Sequence, residues 1–457
     1  MNIPFPFEPL LAFGWLGVML LIGIFLRAKV PFIQRLLFPS CLLGGLIGLA
    51  FLHSGIVKIE TSLLESFAYH FFNISFISVG LTVRTPEEKA AYGGKEMAKG
   101  SLWMALVEGI TIPIQAIPGG LLVIAFNYFG YDLFKTFGFF APLGFTEGPG
   151  QALSIGKVWE NLGFEHAATI GLTFATVGFL FAFFVGVPLA NWGLKRGRAA
   201  QPQTVLPKDL LTGVIGKGNP RESAGSLTMH SANVETLAFQ LSMVGLVYLL
   251  TYALVYGIGS LLQPELATTL WGFFFFLGML VAQLVRFIVV KIGYDHLLDG
   301  GIQRRITGWS VDFLILSTVM AVQLVIVWQY VVPISVICVT VGVLTTLVVI
   351  YLGNRIPSLN LERTLAIYGT VTGTVSSGLL LLRIVDPEFR TSTAMELGYM
   401  TIFASAPVLG TMLLVSAPVL WGWSLELTMG VFAGMMVISL ILLKALGLWG
   451  KNRYASA

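Results

Sequence analysis

Only two cysteines, Cys41 and Cys338, occur in 457 residues, and both sit inside apolar stretches. There a small hydrophobe is the expected role, and no disulfide framework is implied. The five histidines, His53, His70, His166, His230 and His296, are scattered, with no i,i+4 pair and no adjacent cysteine pair. A transition-metal centre therefore has no support. The Gly-x-x-x-x-Gly-Lys-Ser/Thr sequence is missing too, so ATP hydrolysis is not expected of this chain, and no organic cofactor is implied. No Asp-x-x-Asp pair, of the kind that intramembrane phosphate chemistry uses to hold Mg²⁺, lies on an apolar run. Charged residues make up 11%, and the Lys and Arg behind the formal net charge of +4 form no basic tract with interleaved aromatics. Nucleic acid is set aside as a partner.

What is abundant is apolar side chain, 56% of the residues, together with 51 glycines. A soluble protein of this length needs far more polar surface, so the composition describes an all-α polytopic membrane protein with the lipid bilayer as its solvent. Apolar runs cover roughly 10–26, 30–52, 64–83, 102–126 and 166–192. A polar stretch at 193–233 containing Gly and Pro reads as a flexible linker, after which come runs at 234–262, 266–290, 309–328, 332–352 and 393–415. One more run, 425–446, has no counterpart before the linker and predicts an extra C-terminal span within 417–457, possible at a scaffold. No short cleavable signal stands out, because Arg27, Lys29 and a second run follow the first directly.

Positive residues are retained on the cytoplasmic side of membrane proteins. Arg27, Lys29 and Arg35, then Lys89, Lys95 and Lys99, then Lys195, Arg196, Arg198, Lys208, Lys217 and Arg221 fall between alternate runs. Lys291, Arg304, Arg305, Arg355, Arg363, Lys444, Lys451 and Arg453 join them if the spans alternate, and the opposite side has little beyond Lys58, Lys135 and Lys157. The N-terminus is thus expected outside, with the linker and C-terminus cytoplasmic. The two halves, 1–192 and 234–416, then enter the membrane from opposite sides as inverted five-span repeats, a plan shared by many secondary transporters.

Each half has one interrupted segment. The first centres on Gly144-Phe145-Thr146-Glu147-Gly148-Pro149-Gly150-Gln151. Its flanks each cover about half of a ~30 Å hydrocarbon core at ~1.5 Å per helical residue. That predicts a re-entrant hairpin at about 137–162 with a cavity at its tip, since bare backbone inside a membrane must be covered by protein or reached by water. The second interrupted segment is 361–386. A gapless shift of 225 positions (369 minus 144) superposes Gly144 on Gly369, Gly148 on Gly373, Phe164 on Phe389, Leu172 on Leu397 and Thr176 on Thr401. The pairing of tip glycines is the informative part, because a tight turn requires their backbone freedom.

At these segments the chain resembles the bacterial sodium/glutamate symporters. The residues that carry the resemblance are 145–152 with Lys157-Val158-Trp159, Gly163-Phe164 and Ala175-Thr176-Val177-Gly178, then Tyr368-Gly369-Thr370-Val371-Thr372-Gly373 and Arg383 to Arg390. Leu43-Gly44-Gly45-Leu46 and Val79-Gly80-Leu81 also fit. The likeness covers roughly the first 415 residues. It implies two inverted repeats with opposed hairpins, a homodimer in the cell (inner) membrane, and Na⁺-driven uptake by an elevator-type slide of a transport domain against a scaffold. The chain departs from that family's Gly-rich, His-containing hairpins with Glu147 and Pro149 in the first and Thr372, Ser376 and Ser377 in the second.

Transport needs no covalent step. A half-helix N-terminus offers free N–H groups and partial positive charge to a carboxylate, while unwound carbonyls suit Na⁺. Gly148, Gly150 and Gln151 in one hairpin and Thr372, Gly373, Ser376 and Ser377 in the other are the candidate substrate clamp, against the plainer reading of two structural turns. Glu147 is the sharpest single residue, since a carboxylate at membrane depth costs ~2.5–3.5 kcal/mol and is functional by default; capping of the next half-helix is the alternative. Thr146, Asn73, Ser75, Asp312 and Thr176 are further candidate oxygen ligands for Na⁺, or else polar groups that join helices. Sodium-coupled symport of glutamate or a related small anionic amino acid is the favoured function. An H⁺-coupled carrier for another small carboxylate, working through Glu147, is the alternative. A polytopic enzyme acting on a lipid is the reading from another class, and it lacks a metal or nucleophile constellation.

Cysteines placed in the linker of a variant lacking Cys41 and Cys338 are expected to resist a membrane-impermeant thiol reagent in intact cells. Labelling from outside would overturn the orientation and the inverted repeat together.

Overall fold

The computed structural model describes residues 5–83, 94–200, 207–221, 223–387 and 390–450. Lys89, Phe389, Lys451 and Arg453, used above for topology and overlay, lie outside them, as do linker positions 201–206. The described residues are helical throughout, with no strand. In chain order the first half contains α1 (Glu8–Lys29), α2 (Pro31–Leu36), α3 (Ser40–His53), α4 (Thr61–Leu81), α5 (Lys95–Tyr128), an irregular arm at 137–147, α6 (Pro149–Asn161) and α7 (Ala167–Lys195). A short α8 (Lys208–Thr212) in the linker is followed by α9 (Thr236–Gly259), α10 (Pro264–Gly272), α11 (Phe274–Lys291), α12 (Gly300–Met320) and α13 (Leu324–Gln329). Next come α14 (Val331–Gly353), α15 (Asn360–Thr372), α16 (Val375–Val385), α17 (Thr393–Leu420) and α18 (Leu425–Ala445). Seven of the described helices, α1, α5, α7, α9, α11, α14 and α18, are long and apolar enough to cross a membrane. The protein is a multi-pass membrane protein.

Three expected spans differ from the observed helices, each for a local reason. The run 30–52 is broken into α2 and α3, because Leu37 takes the left-handed conformation (φ 51°) and Pro39 lacks the N–H that would continue the ladder. The run 266–290 divides at Phe273 between α10 and α11. The run 309–328 divides at 321–323 between α12 and α13, and α12 itself starts nine residues before the run, where Oδ1 of Asp299 accepts from the Ile302 N–H at 2.7 Å and caps the helix.

Two groups of helices pack around the interrupted segments. In one, α12 lies along α4 and α3, and α3 also packs on α1. The contact is close because Gly44 faces the Met19 carbonyl and Gly45 faces Val319, where a Cβ would lie 2.5 Å and 2.8 Å from its neighbour; small residues allow such an approach between membrane helices. In the other group α5 is the central post, packed by α14, α17 and α18. The final helix α18 therefore sits on α5, with Met429 against Gly120 and Phe432 against Phe139.

The linker is more fixed than its composition suggests. Buried Arg27 donates to the carbonyls of Leu210 (2.9 Å) and Leu211 (3.5 Å) in α8 and of Phe38 (3.2 Å). The Ala200 N–H donates to Glu362 at the base of α15 (2.6 Å), and the Ser226 N–H to Asp299 (3.0 Å).

Arg363, placed above among the cytoplasmic charges, is buried in a two-pronged pair with Glu396 of α17. Its Nε and Nη2 donate at 2.7 Å and 2.5 Å, and the two side chains are 2% and 0% exposed. Such forked pairs are strong when intact, and removal of one partner strands a buried charge. Glu396→Leu is expected to destabilise the fold by about 3–5 kcal/mol, measured as a lowered melting temperature in detergent. Addition of Arg363→Met should recover most of the loss. A single variant that melts like the wild type would show that this pair does not hold α15 to α17.

Candidate functional site

The first arm, 137–147, is kept from being a regular helix by its own sequence. Pro142 has no N–H to give the ladder, and Leu143–Glu147 winds as a wider π turn, a form frequent at functional sites. Gly148 then takes φ 89°, ψ −177°, a region essentially reserved for glycine. Pro149 starts α6 at the first helical position, where its missing N–H costs nothing. The chain doubles back, bringing Phe140 against Trp159 with ring centroids 4.8 Å apart. The second interrupted segment is likewise a hairpin. Its arms α15 and α16 touch at Gly369, where a Cβ would lie 2.7 Å from the Cα of Gly378.

The two hairpins meet tip to tip. A Cβ on Gly148 would stand 3.0 Å from Cγ2 of Thr374 and 3.3 Å from the Gly373 carbonyl oxygen. The Thr146 hydroxyl donates to Oε1 of Gln115 (2.7 Å) and lies 3.3 Å from the Val371 carbonyl, to which Nε2 of Gln115 donates at 2.9 Å. Nε2 of Gln115 also reaches Thr345 of α14 at 3.3 Å. One glutamine of α5 thus joins both tips to a third helix. The first N–H groups of α6 and α16 have no partner within their own helices and start from the two residues that touch, Gly148 and Thr374.

Where the tips meet, some polar atoms are left over. Oε1 of Glu147 and Oγ1 of Thr374 are buried without a hydrogen bond, while Oε2 of Glu147 stands 3.5 Å from Nε2 of Gln151. Oε2 of Glu108, on α5, is a third such atom. Buried polar atoms are nearly always satisfied, so an orphan calls for a physical explanation. An open cleft of about 640 Å³, lined by Glu65, Lys157, Glu160 and His166 among others, lies at the far end of the first hairpin and not at its tip.

Of the residues selected from sequence, the structure brings Thr146, Glu147, Gly148, Gln151, Thr372 and Gly373 to the meeting point. Ser377 is buried with its hydroxyl against Gly373, whereas Ser376 is exposed on the first turn of α16. Gly150 lies under the ring of Phe72 from α4. The remaining candidates have other immediate neighbours. Ser75 donates to the Phe72 carbonyl and Thr176 to the Leu172 carbonyl, both within their own helices. Asp312 is exposed and reaches the Cys41 thiol. Asn73 is buried, with neither amide atom hydrogen-bonded. Sequence reading missed Gln115, Glu108 and Thr374. The signal for the first two was present as polar residues seven apart inside the apolar run 102–126, a spacing that puts both on one helix face.

A sequence-family model described as sodium/glutamate symporter matches residues 10–362. The chain belongs to this family. It is accordingly a membrane transporter and not an enzyme, from a family whose coupled solutes are Na⁺ and glutamate. The match ends at the first turn of α15 and so covers less than the 415 residues of the resemblance; the tip of the second hairpin lies beyond it. No match is found among curated proteins.

Gly148→Val forces a β-branched residue into a glycine-only conformation against Thr374, so uptake by the symporter is expected to fall by roughly a hundredfold, in line with strain of order 1–3 kcal/mol plus a displaced tip. Gly245→Val, at an exposed position of α9 with open space around it, serves as the control. Equal transport by both variants in reconstituted vesicles would remove the turn from the mechanism.

Proposed function

We propose that the protein is a secondary active symporter that couples inward movement of Na⁺ to uptake of glutamate or a related small anionic amino acid. The observation that carries the proposal is the meeting of two hairpin tips, each starting a half-helix, around unpartnered oxygens of Glu147 and Thr374. Gly148, Gly150 and Gln151 of one tip and Thr372, Gly373, Ser376 and Ser377 of the other form the substrate clamp. The two half-helix N-termini present positive ends to the substrate carboxylates, and Thr146 and Glu147 hold Na⁺. The clamp fits a small anion and leaves the lipid-enzyme reading without a role.

The inverted repeat, 1–192 against 234–416, is supported by the spacing of elements. A shift of 225 residues carries the ends of α5 and α7, Tyr128 and Lys195, onto the ends of α14 and α17, Gly353 and Leu420. It also carries Thr146 onto Val371 and Gly148 onto Gly373, pairs that are themselves in contact. A point on a two-fold axis touches its own image, so these contacts suit a pseudo-two-fold axis running between the tips. The hairpins are then re-entrant from opposite faces. The group of α1, α3, α4 and α12 is the scaffold of a homodimer, and the group around α5 slides past it in an elevator cycle, with the N-terminus outside and the C-terminus in the cytoplasm.

One net positive charge moving through ~100 mV yields ~2.3 kcal/mol, and each tenfold accumulation costs ~1.4 kcal/mol. For a singly charged anion that one net charge already takes two coupled cations, so concentration beyond about fortyfold needs more than two, or an added chemical gradient. In proteoliposomes, labelled glutamate is expected to accumulate under an inward Na⁺ gradient and not under an equal choline gradient. Glu147→Gln should raise the Na⁺ concentration for half-maximal uptake by about tenfold, the loss expected if ~1.4 kcal/mol of ion binding disappears. Uptake that follows a pH gradient without Na⁺, and loses that dependence in the variant, would favour the H⁺-coupled carrier for another carboxylate.

A further inference from the structure

Glu108 lies seven residues before Gln115 on α5, and seven residues advance a helix by about 700°, so both side chains leave the same face. That face is the one through which Gln115 reaches Thr146 and Val371. Glu108 therefore stands roughly 10 Å along the helix axis from the contact between the tips, at 1.5 Å per residue. It is 5% exposed and its Oε2 has no partner, and it stands close enough to Glu147, whose Oε1 is also without a partner, for the two carboxyl groups to influence each other. Among the described residues no basic side chain forms an ion pair with either carboxylate.

When both are ionised, two carboxylates in this setting carry two negative charges. The N-termini of α6 and α16 offer roughly half a positive charge each, and the rest must come from outside the chain. We propose that Glu108 and Glu147 together form a cation site that holds one Na⁺ between α5 and the tip of the first hairpin. Carboxylate oxygens are the donors that a hard cation prefers. The site extends the clamp onto the post helix α5, so that arrival of the ion ties the first hairpin to the body that carries it. The choice of Na⁺ rests on the sodium-coupled reading above; the site itself rests on the two orphaned carboxylates.

The test needs no substrate and so stands apart from the transport assay. Wild-type protein in detergent is expected to melt at a higher temperature in NaCl than in choline chloride at equal ionic strength. Glu108→Gln, Glu147→Gln and the double variant are each expected to lose that difference, the double no more than either single, because one ion is shared. In choline the Glu108→Gln protein should melt no lower than wild type, since the substitution replaces a buried carboxyl group whose Oε2 has no hydrogen-bond partner. Should Glu108→Gln prove unfolded, equilibrium binding of ²²Na⁺ to Glu108→Asp, expected to be at least tenfold weaker than wild type, replaces it. A full Na⁺ shift in Glu108→Gln, or losses in the two single variants that add independently, would overturn the proposal. A melting temperature that responds to pH and not to Na⁺ would overturn the assignment of Na⁺. Absence of glutamate uptake with the Na⁺ shift intact would instead count against the substrate while leaving the site in place.

Discussion

Everything in this molecule hinges on how two interrupted helices can end inside a protein that has few polar groups to offer them. A helix that stops leaves free N–H and C=O groups, and in apolar surroundings those groups need a partner. The chain answers by pointing the two breaks at each other. Gly148 and Gly373 remove the side chains that would hold the tips apart, and Gln115 threads its amide between Thr146 and the Val371 carbonyl. Because one residue of α5 satisfies groups from both hairpins, the tips and the post form a single polar knot.

The aromatic packing explains why such a knot can be held in place. Phe137, Phe140, Trp159, Phe164 and Phe174 pack ring on ring behind the first hairpin, while Tyr368, Leu381 and Leu382 belong to a second cluster with Phe179 and Phe183 of α7. The two hairpins thus lean on different parts of the same helix. Gly178 of α7 lies where the clusters meet, close to the Thr372 carbonyl and to Phe145, so α7 is a rail shared by both.

Much of this was legible in the sequence, and what was not has a physical reason. Composition and long apolar runs gave the membrane class, and the Gly–Pro density of 144–151 gave the first hairpin to within a residue of its turn, because backbone freedom and a missing N–H are written in residue type. Faces were harder to read. Asn73, Asp312 and Thr176 were chosen as polar residues on spans, but an apolar run carries no marker of which side meets which neighbour, and Asp312 in fact reaches Cys41. Glu108 and Gln115 were passed over for the same reason, as incidental polarity in a long run. The start of α12 was lost because Gly300-Gly301 looks like a break until Asp299 is seen to cap it. The break at Pro39 is hidden by the apolar residues on both sides of it, which make 30–52 look like one span.

The docked linker has a mechanical consequence. The Ala200 N–H is fastened to Glu362 at the base of the second hairpin, while the Leu210 carbonyl is fastened to Arg27 on α1. Ten residue steps separate these anchor points, a fully stretched reach of about 35 Å at ~3.5 Å per residue. In a carrier whose hairpin-bearing body travels relative to α1, that stretch acts as a tether with a fixed maximum length, and any longer excursion has to break one of its two fastenings. For the slide proposed above, this segment would set an upper limit on the stroke.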